Sequence, residues 1–155
     1  MQLLQSQNKD LLFMTFLRQN AREKLTSISK KTSIPVTTLF DKLKLMEQDV
    51  IIKHTCLLNF DKLGYHCKAN ILLKAGREAR ELLKDLLLKS ENVNSLMKIN
   101  NGFDFLATVI FRDMKELNEY MEELEKKAEI LEKQVYFVIE EIVQEKFMTN
   151  DLFIA

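Results

Sequence analysis

The stretch LTSISKKTSIPVTTLFDKLKLME, from Leu25 to Glu47, constrains this chain more than any other. It reads as two short helices joined by a tight turn, with Pro35, the only proline, opening the second. A proline suits a helix start because its missing N–H has no intrahelical partner there. Thr26 is placed to N-cap the first helix, through Lys31, its hydroxyl accepting an orphan backbone N–H. Thr32-Ser33-Ile34-Pro35 forms the turn. The second helix runs to about Glu47, with Leu39, Leu43 and Met46 on one face and Val36 a turn earlier on the same side. Thr37, Thr38, Asp41, Lys42 and Lys44 fall mostly off that face.

This is the pattern of a helix-turn-helix, whose second helix enters the DNA major groove and reads base edges from its N-terminal end. Thr37 and Thr38 stand at that end, beside Pro35, with hydroxyls to donate or accept and methyls to meet a thymine methyl. Lys42, about one turn on, is placed to reach a base or a phosphate. Lys30, Lys31, Lys44 and Lys53 surround the contact as phosphate partners. The plain alternative is the solvated surface of a three-helix bundle.

Around this core, apolar positions at Leu11, Leu12, Met14, Phe16 and Leu17 predict a buried first helix from about Asp10 to Asn20. Val50-Ile51-Ile52-Lys53 reads as a strand, the wing of a winged helix-turn-helix. A boundary falls at Asn59–Tyr65, where Gly64 is one of three glycines. The expected division is therefore residues 1–60, a winged helix-turn-helix with its linker, and residues 61–155.

Beyond the boundary the order is strand, helix, strand, strand, helix, strand. The predicted elements are a strand over Lys68–Lys74, then a helix over Arg77–Lys89 with Leu82, Leu83, Leu86 and Leu87 on one face. Strands follow over Asn94–Ile99 and Phe103–Arg112, joined by a turn at Asn101-Gly102. Asp113 and Glu116 make a capping box for a long helix that buries Leu117, Met121, Leu124, Ala128 and Leu131. The fourth strand is predicted over Gln134–Ile142 or further. This βαββαβ order is the ferredoxin-like arrangement of an α+β fold. Phe103, Phe105, Ala107, Val109 and Phe111 point one way, yet Leu106 and Ile110 on the opposite face are also apolar. One such face ordinarily meets water. A second copy of the chain, in a two-fold dimer, is the expected cover. The tail Met148–Ala155, with Leu152, Phe153 and Ile154, is the alternative.

Zero net charge hides an asymmetry. Residues 1–62 hold ten Lys/Arg and six Asp/Glu, and the remainder thirteen and seventeen. A basic half joined to an acidic half suggests two jobs. No apolar run is long enough to span a bilayer, and MQLLQSQNKD lacks the features of a secretory signal. Two cysteines make no disulfide framework, so a reducing, cytoplasmic setting is expected. The spacing of His54, Cys56, His66 and Cys67 matches no common zinc pattern, and neither metal nor cofactor is expected. No phosphate-binding glycine loop, HExxH pair or nucleophile elbow is present, so no enzyme is expected. The acidic run Glu116–Glu132 is the outer face of an amphipathic helix.

Several segments resemble the Lrp/AsnC family of transcription regulators over about 140 residues. They are Leu17–Arg22, Leu25-Thr26…Ile28, Ile34-Pro35, Thr38 and Leu43…Met46-Glu47…Val50-Ile51, then Lys62-Leu63-Gly64-Tyr65 and Phe103-Asp104-Phe105-Leu106 through Val109…Phe111-Arg112-Asp113-Met114. The resemblance implies a winged helix-turn-helix followed by a ferredoxin-like domain that dimerises, often assembles to octamers, and takes an amino-acid effector between dimers. Carried onto this chain, the effector edge is Asn100, Asn101, Gly102, Phe103 and Asp104, with Asp104 suited to an α-amino group. Asp104 as a turn residue accepting local backbone N–H bonds is the alternative. The sequence departs from the family at Ser33, where the turn usually has glycine, and at Asn101, which takes the place of a glycine. The combined expectation is a regulator of double-stranded DNA that occupies a pseudo-palindromic site. The alternative is an amino-acid sensor with weak or lost DNA binding.

Overall fold

A computed structural model describes residues 2–150, with side chains from residue 8 onward. Two compact units emerge: residues 2–57 with 142–150, and Leu58–Glu141.

The first unit has three helices: α1 (Gln2–Gln19), α2 (Leu25–Thr32) and α3 (Val36–Asp49). Its core joins Phe13 of α1, Ile28 of α2, Ile34 of the turn, and Leu39 and Met46 of α3, with Leu43 and Ile51 packed alongside. The 4-3 spacing of Leu39, Leu43 and Met46 explains why α3 presents that stripe inward. Val36, expected on the same side, is instead exposed.

Thr26 does not cap α2. The N-cap is Lys24, with no side-chain bond, and Thr26 lies inside the first turn. The Ser27 hydroxyl instead donates to Glu23 at 2.7 Å. Pro35 is the N-cap of α3, in extended geometry, and its carbonyl accepts from Leu39 N.

The wing strand expected at 50–53 is absent: residues 51–59 have no strand pairing. Ile51 N instead donates to Met46 O at 2.7 Å, wrapping the chain against the end of α3. A strand exists only with a hydrogen-bonded neighbour, and the described sheet contains none for this segment. Residues 142–150, placed by the sequence with the sheet domain, group with the helices. Arg18 donates to the carbonyls of Phe147 (3.1 Å) and Glu145 (3.0 Å), and Gln19 to that of Thr149 (2.7 Å). Leu152, Phe153 and Ile154 lie outside the described residues.

The second unit is β1 (Cys67–Ala75), α4 (Arg80–Lys89), β2 (Val93–Lys98), β3 (Phe105–Phe111), α5 (Met114–Lys127) and β4 (Ile130–Phe137). All pairings are antiparallel, in the order β2-β3-β1-β4. Alternate residues Cys67, Ala69, Ile71, Leu73 and Ala75 of β1 and Phe105, Ala107, Val109 and Phe111 of β3 point to one face. Leu83 and Leu87 of α4 and Leu117, Met121 and Leu124 of α5 cover it. A period of two meeting a period of 3.6 builds this core. Both helices therefore lie on one side of the sheet, as a ferredoxin-like domain requires.

Asp113 caps α5, its carboxylate accepting from Glu116 N at 2.9 Å. The Glu116 carboxylate in turn accepts from Arg112 N, one residue before the cap itself. Leu131 is not on this helix. Ala128 is its C-cap, and Leu131 sits on β4, 58% exposed. β4 begins and ends earlier than predicted because Ile130–Phe137 pairs with β1, after which Val138 N makes a last bond to Lys68 O. On α4, Leu82 is 49% exposed, not part of the buried stripe.

Candidate functional site

The α2–turn–α3 segment holds the first set of candidate residues. The turn is tight because Ser33 adopts φ 56°, ψ 25°, the left-handed conformation that closes α2. Glycine does this without strain, whereas a Cβ costs on the order of 1–2 kcal/mol. Thr37 and Thr38 are both exposed in the first turn of α3, next to Pro35. Their hydroxyls are free of hydrogen bonds among the described residues.

The lysines differ in their partners. Lys30 and Lys53 are exposed, with no ion pair among the described residues. Lys31 pairs with Glu23 at 2.6 Å and lies 5.1 Å from the Phe16 ring. That hydrogen bond, with a smaller contribution from Ser27, lowers the Glu23 carboxyl below its ordinary pKa. Lys42 is drawn back against α1, ion-paired with Asp10, its side chain 23% exposed. Lys44 stays outward, 4.6 Å from the Phe40 ring. The structure thus gathers Thr37, Thr38 and Lys44 on the outer surface of α3 and takes Lys42 out of it. It adds Phe40, which sequence reasoning missed. The i,i+4 spacing of Phe40 and Lys44 was the available signal.

The second candidate set is the β2–β3 turn. Asn101 (φ 65°) and Gly102 (φ 99°) are both left-handed, as a two-residue hairpin turn demands. Asparagine tolerates that region, so the shifted glycine leaves the turn intact. Ile99 N donates to Asp104 O at 3.0 Å, closing it. Asn100, Asn101 and Gly102 are exposed, and Phe103 is half-buried. Asp104 is mostly enclosed, its side chain 14% exposed. One carboxylate oxygen accepts from Ala75 N at 2.9 Å. The other lies 2.8 Å from Arg80 Nε, outside hydrogen-bond geometry. Asp104 therefore ties the end of β1 to the start of α4. Its Arg80 partner left no local trace in the sequence.

His54 contacts Glu47 at 3.0 Å and His66 contacts Asp61 at 3.6 Å. Cys56 is exposed and Cys67 is buried in the sheet core. Among the described residues, no group of three His, Cys, Asp or Glu side chains is placed to hold a metal.

A family model described as the Lrp/AsnC ligand binding domain matches residues 68–147, more than half of the chain. The chain belongs to the Lrp/AsnC family. An HTH-type transcriptional regulator of Pyrococcus furiosus is 27% identical over 140 residues, covering 89% of this chain and 93% of the relative. The HTH-type transcriptional regulator FL11 of Pyrococcus abyssi is 28% identical over 116 residues, covering 73% and 76%. The structure of a transcriptional regulator from Neisseria meningitidis in complex with L-Met superposes with a TM-score of 0.82 at 21% identity, covering 88% of this chain and 91% of that one. AsnC of E. coli superposes at 0.81 with 16% identity, covering 91% and 97%. Both likenesses show the Lrp/AsnC fold, a helix-turn-helix joined to a ferredoxin-like domain. Among the described residues no helix is long and apolar enough to cross a membrane.

Proposed function

We propose that this Lrp/AsnC protein is a sequence-specific DNA-binding transcription regulator that works in the cytoplasm as a dimer or larger assembly. The observation that carries the reading is the α2–Ser33–Pro35–α3 turn, which leaves Thr37, Thr38, Phe40 and Lys44 exposed on one short helix. A helix so presented fits the major groove, and threonine methyls and a phenylalanine ring suit thymine methyls. Lys30, Lys31 and Lys53, with Lys44, are the phosphate partners. Lys42, the remaining candidate, is ion-paired with Asp10. The relatives are transcriptional regulators, and no catalysis is assigned.

The outer face of the sheet supports self-association. Its rows run Met97–Leu106–Leu72–Gln134 and Ser95–Thr108–Asn70–Tyr136 by register. The first row carries apolar surface at Met97, Leu106 and Leu72, which a two-fold dimer covers. At its centre the Thr108 hydroxyl donates to Asn70 Oδ1 at 2.8 Å. That satisfied polar pair gives a dimer a preferred register. The second unit is proposed as the sensing domain, with the edge Asn100–Asp104 facing the effector. The L-Met complex of the Neisseria protein supports an amino acid as the effector class.

The test is fluorescence anisotropy of the full chain on the DNA upstream of its own gene, against random DNA, at several salt concentrations. Tight, selective and salt-sensitive binding is expected. Weak binding without preference would favour a sensor that has lost DNA binding.

A further inference from the structure

Beside the hairpin edge, the second unit holds a cleft of about 280 Å³ between α4 and the β2–β3 pair. Its charged rim is Arg80, Glu81 and Lys84 of α4 with Lys98 of β2. Leu88, Leu96 and Phe105 give it an apolar lining. Three cations therefore face a single carboxylate. Glu81 is already bonded to Lys84 at 2.6 Å. That bond, with the charges of Lys84, Lys98 and Arg80, holds the Glu81 carboxyl below its ordinary range. Asp104, the next carboxylate, accepts from Ala75 N and contacts Arg80. Arg80 Nε makes no hydrogen bond among the described residues despite that contact. Lys98 is left without an ion pair among the described residues, while both nearby carboxylates are already engaged.

An α-amino acid needs both a cation for its carboxylate and an anion for its ammonium. Only the first is on offer. The apolar lining, with Phe105 buried in the sheet and Leu88 at the open side, suits an aliphatic chain better than a phosphate or a sugar. We propose that this cleft binds a short aliphatic carboxylate lacking an α-ammonium group, with its carboxylate on Lys98 and Arg80 and its chain on Leu88, Leu96 and Phe105. The proposal rests on reading the second unit as the sensing domain, and it names a ligand class and a place beside the Asn100–Asp104 edge.

Titration calorimetry of the full chain tests it with 4-methyl-2-oxopentanoate and L-leucine, which share a carbon skeleton and differ at the α-carbon substituent. The oxo acid is expected to bind at least about tenfold tighter, and Lys98→Ala to weaken it about tenfold through loss of one charge-assisted bond. Leu88 is exposed, so Leu88→Ala leaves the fold intact. It is expected to weaken 4-methyl-2-oxopentanoate and not pyruvate. Tighter binding of leucine, unaffected by Lys98→Ala, would leave amino-acid sensing standing elsewhere and overturn this cleft. Inorganic phosphate competing as well as the oxo acid would reduce the site to bare charge and overturn it also. Silence from both ligands, in protein that still binds its DNA selectively, would remove the cleft as a site without touching the DNA reading.

Discussion

Lys42 of α3 is ion-paired with Asp10 of α1, so a lysine on the proposed DNA-reading helix is held against its neighbouring helix. The pair is partly exposed and contributes modestly, on the order of 0.5–1 kcal/mol. Lys42→Ala is expected to lower the stability of the first unit by that amount while leaving the salt dependence of DNA binding unchanged. Lys44→Ala is expected to do the reverse, reducing the log–log salt slope by about 1. Equal slopes for the two variants would show that Lys42 leaves Asp10 for the phosphate backbone.

Base reading is expected from Thr37, Thr38 and Phe40. Thr38→Ala should erode the preference for the target over random DNA by about 1–3 kcal/mol, with the salt slope retained. Lys30→Ala should weaken both DNAs alike. Competition binding against singly substituted sites separates these effects. A Thr38→Ala protein with undiminished preference would move the reading surface off this turn.

Ser33 holds φ 56° without the freedom of glycine. Ser33→Gly relieves the Cβ clash, and the greater entropy of glycine in the unfolded chain offsets part of the gain. The net expectation is about 0.5–1 kcal/mol of added stability, read as a higher urea midpoint at constant m-value. An unchanged or lower midpoint would mean that serine is not strained in this turn.

The outer sheet face places Leu106 between Leu72 and Met97 in register. Leu106→Arg puts a charge into the proposed two-fold contact, where burying it unpaired is costly. A shift from dimer to monomer mass in size exclusion with light scattering is expected, with secondary structure retained. A dimer that survives the substitution intact would place the contact elsewhere.

Burial raises the Tyr120 phenol above its ordinary pKa of 10.0, Ser90 offsetting part of the effect. The hydroxyl has no partner in hydrogen-bond geometry. The folded state therefore holds this proton more tightly than the unfolded one. The stabilisation is complete below the unfolded pKa and is lost as pH climbs through about 10 toward the folded value. Tyr120→Phe is expected to be close to neutral at pH 7 and to flatten the alkaline limb of stability above pH 10. An alkaline limb of the same steepness in both proteins would assign it to other groups, such as Lys84 and Lys126, whose ion pairs also raise them.

Features that depend on neighbours along the chain were legible in the sequence alone. The stripe Leu39, Leu43, Met46, the alternation Phe105 to Phe111, the Asn101-Gly102 turn and the Asp113 cap all follow from periods and offsets of a few residues. From these came the helix-turn-helix and the βαββαβ order, while the family came from the resemblance of segments spread over about 140 residues. What depended on distant partners was decided only by the tertiary structure. Asp10 lies 32 residues from Lys42, and it gave an ion-pair partner on α1 to a lysine that the sequence offered to DNA. Ala75 lies 29 residues from Asp104, and together with Arg80 it engaged a carboxylate that the sequence offered to an ammonium. The strand expected at 50–53 found no partner among the described residues, while Ile130 and Leu131, read as the end of a helix, joined β4 because β1 lay beside them. Helical and turn signals are written in local spacing. Strand existence and charge pairing are settled by whichever group the fold brings within reach, and a single sequence does not name that group.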